Sequence, residues 1–304
     1  MRLIFAGTPE VAVPTLRALA AAYEIVAVIT RPDAPLGRKR VLTPSPVAVA
    51  AEELGISVIR AARLDDDVTM MVQNYEADLG VIVAYGGLVR EPLLSTPRWG
   101  WINLHFSSLP DWRGAAPVQR AIMAGETSLG MSVFQLVAEL DAGDVFAQRE
   151  VNVGGDATAD QAFAILAHDG AELVKNVVAA IGDGSAQATP QEGEPRYAAK
   201  LALSDGVIDW TQSASSVYAR FRGVTTEPGA STTVHGERLK IIEMQSYDGP
   251  ENAAPGEVIA DKQTVLVGTG TSPIRLVRVQ PAGRGAMAAG DWWRGRRDTA
   301  RLGE

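Results

Sequence analysis

Over the first 180 residues, short apolar runs alternate with segments of helical period, and this alternation restricts the chain more than any other feature of its sequence. Residues 2–6 form a strand pattern, Gly7 a turn, and Thr8 and Pro9 an N-cap and first helical position. Further apolar runs lie at 25–29, 57–59, 79–83 and 101–105, with helical patterns at 46–54 and 67–76 between several of them. Strand and helix in turn predict an α/β fold with a doubly wound, mostly parallel sheet. Segments 131–137 and 144–151, joined across Asp141-Ala142-Gly143, predict an antiparallel pair at its edge, and 158–181 a long helix.

The pattern then changes. From Ala186 to Pro195 the chain is polar and carries Pro and Gly, the character of a linker. Short strand-like runs at 230–234, 238–244, 256–260, 264–267 and 274–279 follow, and predict a small β-barrel. The expected organisation is a domain at 1–185, a linker at 186–206 and a second domain at 207–304. At 304 residues the chain is long enough for two cores.

Composition narrows the function. Without cysteine there can be no disulfide, zinc-thiolate site, iron–sulfur cluster or thiol nucleophile. The apolar start is too short for a signal peptide, and nowhere are 18 apolar residues uninterrupted, so a cytoplasmic protein without membrane attachment is expected. A net charge of −8 argues against non-specific coating of nucleic acid, but residues 205–304 hold twelve Lys/Arg against twelve Asp/Glu, which leaves all the excess acid in 1–204. The last thirty residues are basic, a pattern that serves a solvated surface or a polyanion equally.

Asn103 and His105 end the run 101–105, and period-two alternation points them to one face. At the carboxyl end of a parallel strand that face opens on the usual binding crevice. An amide beside an imidazole is what acyl transfer requires, an oxyanion donor and a base near neutral pH. Spacing alone leaves a hydrogen-bonded strand end equally open. Asp141, in the acidic turn Glu139-Leu140-Asp141-Ala142-Gly143-Asp144, could orient that imidazole or could be solvated. His168 and His235 suit solvated or capping roles, the histidines lack metal-ligand spacing, and no metal is expected. Gly7-Thr8-Pro9 lacks the full glycine fingerprint of a nucleotide site.

Eight collinear motifs resemble the methionyl-tRNA formyltransferase family. They are Phe5-Ala6-Gly7-Thr8-Pro9, Pro44-Ser45-Pro46-Val47, Val83-Ala84-Tyr85-Gly86, Asn103-Leu104-His105, Leu109-Pro110 with Trp112-Arg113-Gly114-Ala115-Ala116-Pro117, Leu140-Asp141-Ala142-Gly143-Asp144, Ile208-Asp209-Trp210 and Gln280-Pro281-Ala282-Gly283. The resemblance spans essentially the whole chain. It implies a catalytic triad of Asn103, His105 and Asp141, a folate-binding loop at Ser107, Ser108, Leu109 and Pro110, and a C-terminal barrel like an OB fold that helps hold tRNA. The long basic loop also resembles that of the tRNA enzyme; from its composition, Pro32, Pro35 and Gly37 are expected to deny the segment 31–41 regular structure, and Arg38, Lys39 and Arg40 to form a cationic tip that contacts tRNA. Three departures stand out: Phe106 where glycine is usual, Ser108 for leucine in Ser-Leu-Leu-Pro, and Thr226-Glu227-Pro228-Gly229 for Asn-Pro-Trp-Pro.

The implied reaction moves the formyl group of 10-formyltetrahydrofolate to the α-amine of initiator methionyl-tRNA, giving formylmethionyl-tRNA for translation initiation. Folate carries the one-carbon unit. Rival readings are a formyltransferase acting on a nucleotide-sugar or ribonucleotide amine, a formyltetrahydrofolate hydrolase, and a non-catalytic nucleotide- or RNA-binding module. The sequence does not fix the oligomeric state; a monomer is the expectation.

Overall fold

A computed structural model describes residues 1–37, 39–261, 264–296 and 301–304. The chain divides into two compact units. Met1–Pro117, Ser128–Asn152 and Phe163–Ala198 make up one, and Val118–Thr127, Val153–Ala162 and Ala199–Glu304 the other.

The chain opens with β1 (Arg2–Gly7), α1 (Val13–Ala20), β2 (Glu24–Thr30), β3 (Ala34–Leu36), β4 (Val41–Thr43), α2 (Pro46–Glu53) and β5 (Val58–Arg60). There follow α3 (Asp66–Asn74), β6 (Leu79–Val83), β7 (Trp101–His105), β8 (Arg113–Gly114) and α4 (Pro117–Met123). Next come β9 (Ser128–Gln135), β10 (Val145–Asn152), α5 (Ala159–Asp183) and β11 (Tyr197–Ala198). The first unit's main sheet has seven strands in the order β10-β9-β7-β6-β1-β2-β5. From β5 to β7 every pairing is parallel, while β9 runs antiparallel to β7 and β10 to β9. This is the doubly wound, mostly parallel sheet expected, with its antiparallel pair at the edge.

Local chemistry sets the helix starts. Ser45 caps α2 by accepting from the Ala48 N–H at 3.0 Å, Pro46 fills the first position, and the Ser45 hydroxyl also meets Thr30 Oγ1 at 2.7 Å in the interior. Asp65 caps α3 in the same way, through the Val68 N–H at 3.2 Å. The expected cap at Thr8 is not there. A 3₁₀ turn at Glu10–Ala12 precedes α1, and the Thr8 hydroxyl donates instead to the Tyr85 carbonyl at 3.2 Å, tying the β1 turn to the segment after β6.

The loop 31–41 also differs from expectation, which took Pro32, Pro35 and Gly37 to deny it regular structure. β3 and β4 form a two-stranded ribbon pairing Ala34 with Thr43 and Leu36 with Val41. A two-stranded ribbon leaves half its N–H groups facing outward, so proline is tolerated there, and Gly37, at φ 68°, takes the left-handed turn. Lys39 and Arg40 lie exposed near its tip. Arg38 lies outside the described residues.

The second unit continues with α6 (Ala214–Gly223), β12 (Ala230–Val234), β13 (Glu237–Gln245), β14 (Val258–Ala260), β15 (Val265–Val267), β16 (Ile274–Pro281), β17 (Met287–Ala288) and α7 (Ala289–Arg294). Strand order is β12-β13-β16-β15-β14, with β17 beside β16. The chain end joins the two edges: Leu302 bridges Val234 at the end of β12, and Arg301 bridges Glu257 just before β14. Inside lie Trp210, Val217, Phe221, Leu239, Ile241, Leu276, Val279, Trp292 and Leu302. On β13 these alternate with exposed Arg238, Lys240 and Ile242, as a strand with one buried face demands. Among the described residues no helix is long and apolar enough to cross a membrane.

β7 positions the site, and its core residue Leu104, 2% exposed, lies on the face opposite Asn103 and His105. Leu104→Ala should cost about 2–5 kcal/mol by leaving a cavity under the strand. Urea unfolding checks this; a loss below about 1 kcal/mol would show that the strand does not depend on this packing.

Candidate active site

β7 ends at His105, between parallel β6 and antiparallel β9, with Asn103 and His105 on one face by alternation. His105 is 6% exposed, and the ring of Phe134 stands edge-on to it at 6.4 Å. Its Nε2 lies 2.9 Å from the Trp112 carbonyl oxygen. A carbonyl only accepts, so Nε2 carries the proton and the lone pair sits on Nδ1. Nδ1 faces Asp141 Oδ2 at 3.8 Å. The same carboxylate oxygen accepts the Gly114 N–H at 2.8 Å. Burial pushes the imidazole below its ordinary value, against the opposing pull of the Asp141 charge and the Trp112 carbonyl. His105 is therefore a neutral base with its free lone pair beside a carboxylate that is 8% exposed.

Asn103 is partly exposed, and among the described residues its side chain makes no hydrogen bond. Its amide is thus available to an incoming oxygen. His105 and Asp141 are brought together; Asn103 shares their strand face.

The loop Ser107-Ser108-Leu109-Pro110 is laced to β9 and β10. Ser132 Oγ donates to the Ser107 carbonyl at 2.6 Å and accepts from the Leu109 N–H at 3.1 Å, while Gln148 Nε2 donates to the Leu109 carbonyl at 2.7 Å. Ser107 Oγ donates to the Asp111 carbonyl at 2.5 Å, and Ser108 Oγ to Glu150 at 3.3 Å. At Gly130 a Cβ would lie 2.1 Å from Ser108 Oγ, so only glycine lets β9 pass this close. Phe106 is buried and packs edge-to-face on Phe163 of α5, at 5.7 Å, which turns its ring toward the helix.

The segment after β6 borders the same carboxyl edge. Tyr85 is buried, and its hydroxyl donates to the Ala61 carbonyl at 2.9 Å. Arg31 stacks over its ring at 5.3 Å and donates to the Gly86 and Ala62 carbonyls. In the ribbon that follows, Asp33 is engaged by Arg60 at 3.0 Å. Lys39 and Arg40, whose contact with tRNA is an expectation from the composition of the loop, have no ion pair among the described residues. His168 is exposed on α5, and His235 lies in the β12–β13 turn. Among the described residues no group of three or more His, Cys, Asp or Glu is placed to hold a metal ion.

Sequence reading gave Arg113 no role beyond its motif and missed Ser132, Gln148 and Gln191. Ser132 stands opposite His105 in the β7–β9 register. Gln191 lies in the stretch read as a linker, yet its amide reaches the carbonyls of Asp141 and Gly143 at 2.8 and 2.9 Å. Short uncharged polar side chains carry no periodic signal, and strand register is not written locally.

Residues 1–178 match the formyl transferase family model and 200–297 the formyl transferase C-terminal domain. The chain belongs to the formyl transferase family. Within it, the chain is 59% identical over 97% of both chains to a protein named methionyl-tRNA formyltransferase in Leifsonia xyli subsp. xyli (strain CTCB07). It is 57% identical over 97% of both to one of the same name in Clavibacter sepedonicus. A formyl transferase fold is also seen in the N-formyltransferase of Helicobacter canadensis, solved with folinic acid and dTDP-3-aminofucose. That likeness has a TM-score of 0.69 at 18% identity, over 92% of this chain and 98% of that one.

The direction of the His105 shift has a consequence for titration. NMR of the imidazole should give a pKa below 6.5, with the ring neutral at pH 7. Because the folded value is the lower one, the stability tied to it is fully present above about pH 6.5 and is lost as pH falls toward the folded value. Asp141→Asn, which removes the opposing charge, should move the midpoint lower still. A midpoint above 6.5 would contradict the burial argument.

Proposed function

We propose that this protein transfers the formyl group of 10-formyltetrahydrofolate to the α-amine of methionine on initiator tRNA. One observation carries the chemistry: a buried imidazole whose Nδ1 lone pair faces a carboxylate at 3.8 Å, at the carboxyl end of a parallel strand. The near-complete match to relatives named for this reaction supports the acceptor.

The neutral amine, of pKa near ~8, attacks the formyl carbon. The developing oxyanion takes a hydrogen bond from Asn103, whose amide is otherwise unengaged. His105 Nδ1 accepts the proton that the new C–N bond makes acidic, directly or through one water. The resulting imidazolium then has Trp112 O on one nitrogen and Asp141 on the other, so both charged N–H groups face acceptors. Collapse breaks the bond from carbon to folate nitrogen, and the proton passes from His105 to that leaving nitrogen. Asp141 serves here by charge and orientation, its Oδ2 fixed by the Gly114 N–H.

Since Ser107, Ser108 and Leu109 spend their polar atoms on β9, β10 and Asp111, the loop 107–110 contributes a shaped wall to the folate site rather than new hydrogen bonds. The cationic end of the β3–β4 ribbon, with Lys39 and Arg40, supplies phosphate contacts, which give affinity and little base reading.

Asn103→Ala should lower turnover about 10²- to 10³-fold in a formylation assay with charged initiator tRNA, the usual loss for one oxyanion donor. Activity near wild type would give the amide another job, and faster transfer to an amino sugar or ribonucleotide would replace the acceptor. A Lys39→Ala/Arg40→Ala double variant should weaken tRNA binding and flatten the slope of log affinity against log salt by ~0.9 for each duplex phosphate that is no longer neutralised. Folate affinity should stay unchanged. An unaltered salt slope would remove the ribbon from the tRNA site.

A further inference from the structure

Asp141 does not hold its position by itself. Its backbone has φ 46°, in the left-handed region that costs a residue with a side chain free energy unless its surroundings enforce it. On one side the turn is fixed by packing: a Cβ at Gly143 would lie 1.7 Å from the Gln135 carbonyl oxygen. On the other side stands Gln191, contributed from beyond α5. Its Nε2 donates to the Asp141 carbonyl at 2.8 Å and to the Gly143 carbonyl at 2.9 Å. Its Oε1 accepts from Arg113 Nε at 3.1 Å and from a terminal guanidinium nitrogen at 2.6 Å.

Arg113 settles which way the amide points. A guanidinium only donates, so the oxygen must face it, and both amide hydrogens are left for the two carbonyls. Arg113 is itself 9% exposed and adjoins Gly114, whose N–H binds the Asp141 carboxylate. The surrounding backbone is paired as well: Thr189 and Val145 exchange hydrogen bonds at 2.8 and 3.0 Å, and β11 lies parallel to β8. One neutral side chain therefore joins the strap 189–198, the β8 loop and the Asp141 turn.

We infer that Gln191 is a positioning residue for formyl transfer, holding the Asp141 turn through two donated hydrogen bonds so that the carboxylate faces His105 Nδ1. It touches no reacting atom. This rests on the reading of His105 and Asp141 given above. Glutamate at this position would keep the volume and the Arg113 contact but would set an acceptor against two carbonyls. Alanine would remove both sets of bonds.

The test uses the full-length protein, with kcat and KM for formylation and the His105 midpoint by NMR. Gln191→Glu should lower kcat by up to ~100-fold, the scale of a misplacement near ~1 Å, with KM for folate within about twofold. The His105 midpoint is read on the alanine variant, where it should fall because the carboxylate that stabilises the imidazolium has moved, since glutamate adds a carboxylate of its own. Gln191→Ala should lower kcat likewise, and Gln191→Glu keeps the question open to measurement if alanine unfolds the strap. A folded Gln191→Glu protein with wild-type kcat, or a folded Gln191→Ala protein with wild-type kcat and an unmoved His105 midpoint, would overturn the inference, as would lowered thermal stability alone. Asp141→Asn serves as the reference. If it retains turnover, the reading of the site has failed. If it loses turnover while the Gln191 variants do not, only the latch has failed.

Discussion

The burial of His105 beside Asp141 is the constraint on which the first unit depends. An imidazole held away from water resists protonation, so it remains a base at neutral pH, but a charge formed on it there would be costly without a neighbour of opposite sign. Asp141 supplies that charge at 3.8 Å, and the Trp112 carbonyl fixes which nitrogen is free. Burial thus favours the uncharged ring, while the Asp141 charge and the Trp112 carbonyl pull the other way. A solvated histidine would need no carboxylate, and an isolated buried one could not hold the proton.

That pair requires backbone that no single element provides. β7 brings His105 to the sheet's carboxyl edge, and the antiparallel β9 places Phe134 and Ser132 against it. The Asp141 turn joins β9 to β10, and the 107–117 loop supplies the Trp112 carbonyl and the Gly114 N–H. Arg196, from the strap, stacks over the Trp112 ring at 4.3 Å and pairs with Asp111 at 2.8 Å, so the same segment that carries Gln191 also secures the loop over the imidazole. The stretch 189–198 is thus part of the site wall.

The barrel follows a different logic. Its buried face alternates with Arg238 and Lys240 outside, and Leu302 and Arg301 bridge Val234 at the end of β12 and Glu257 just before β14, so the chain end lies along both edges of the sheet.

Much of this was legible in the sequence. Period-two and period-3.6 patterns located the seven strands of the main sheet, β12 to β16 and the helices α2, α3 and α5, because burial of one face acts residue by residue, while the short α4, α6 and α7 left no such signal. The same alternation put Asn103 and His105 on one face. Turn chemistry misled at Thr8 and in the 31–41 loop, where a 3₁₀ turn and a two-stranded ribbon satisfied the backbone in ways that local propensity does not rank. Proximity was undetermined by the residues alone: the tautomer of His105 depends on a carbonyl seven positions away, and the Asp141 carbonyl is met by the amide of Gln191, fifty positions on. The sequence by itself determined which residues could be buried and which chemistry was available. Only the tertiary structure decided which nitrogen of His105 carries the lone pair and which carboxylate it faces, since those follow from contacts between segments that share no local pattern.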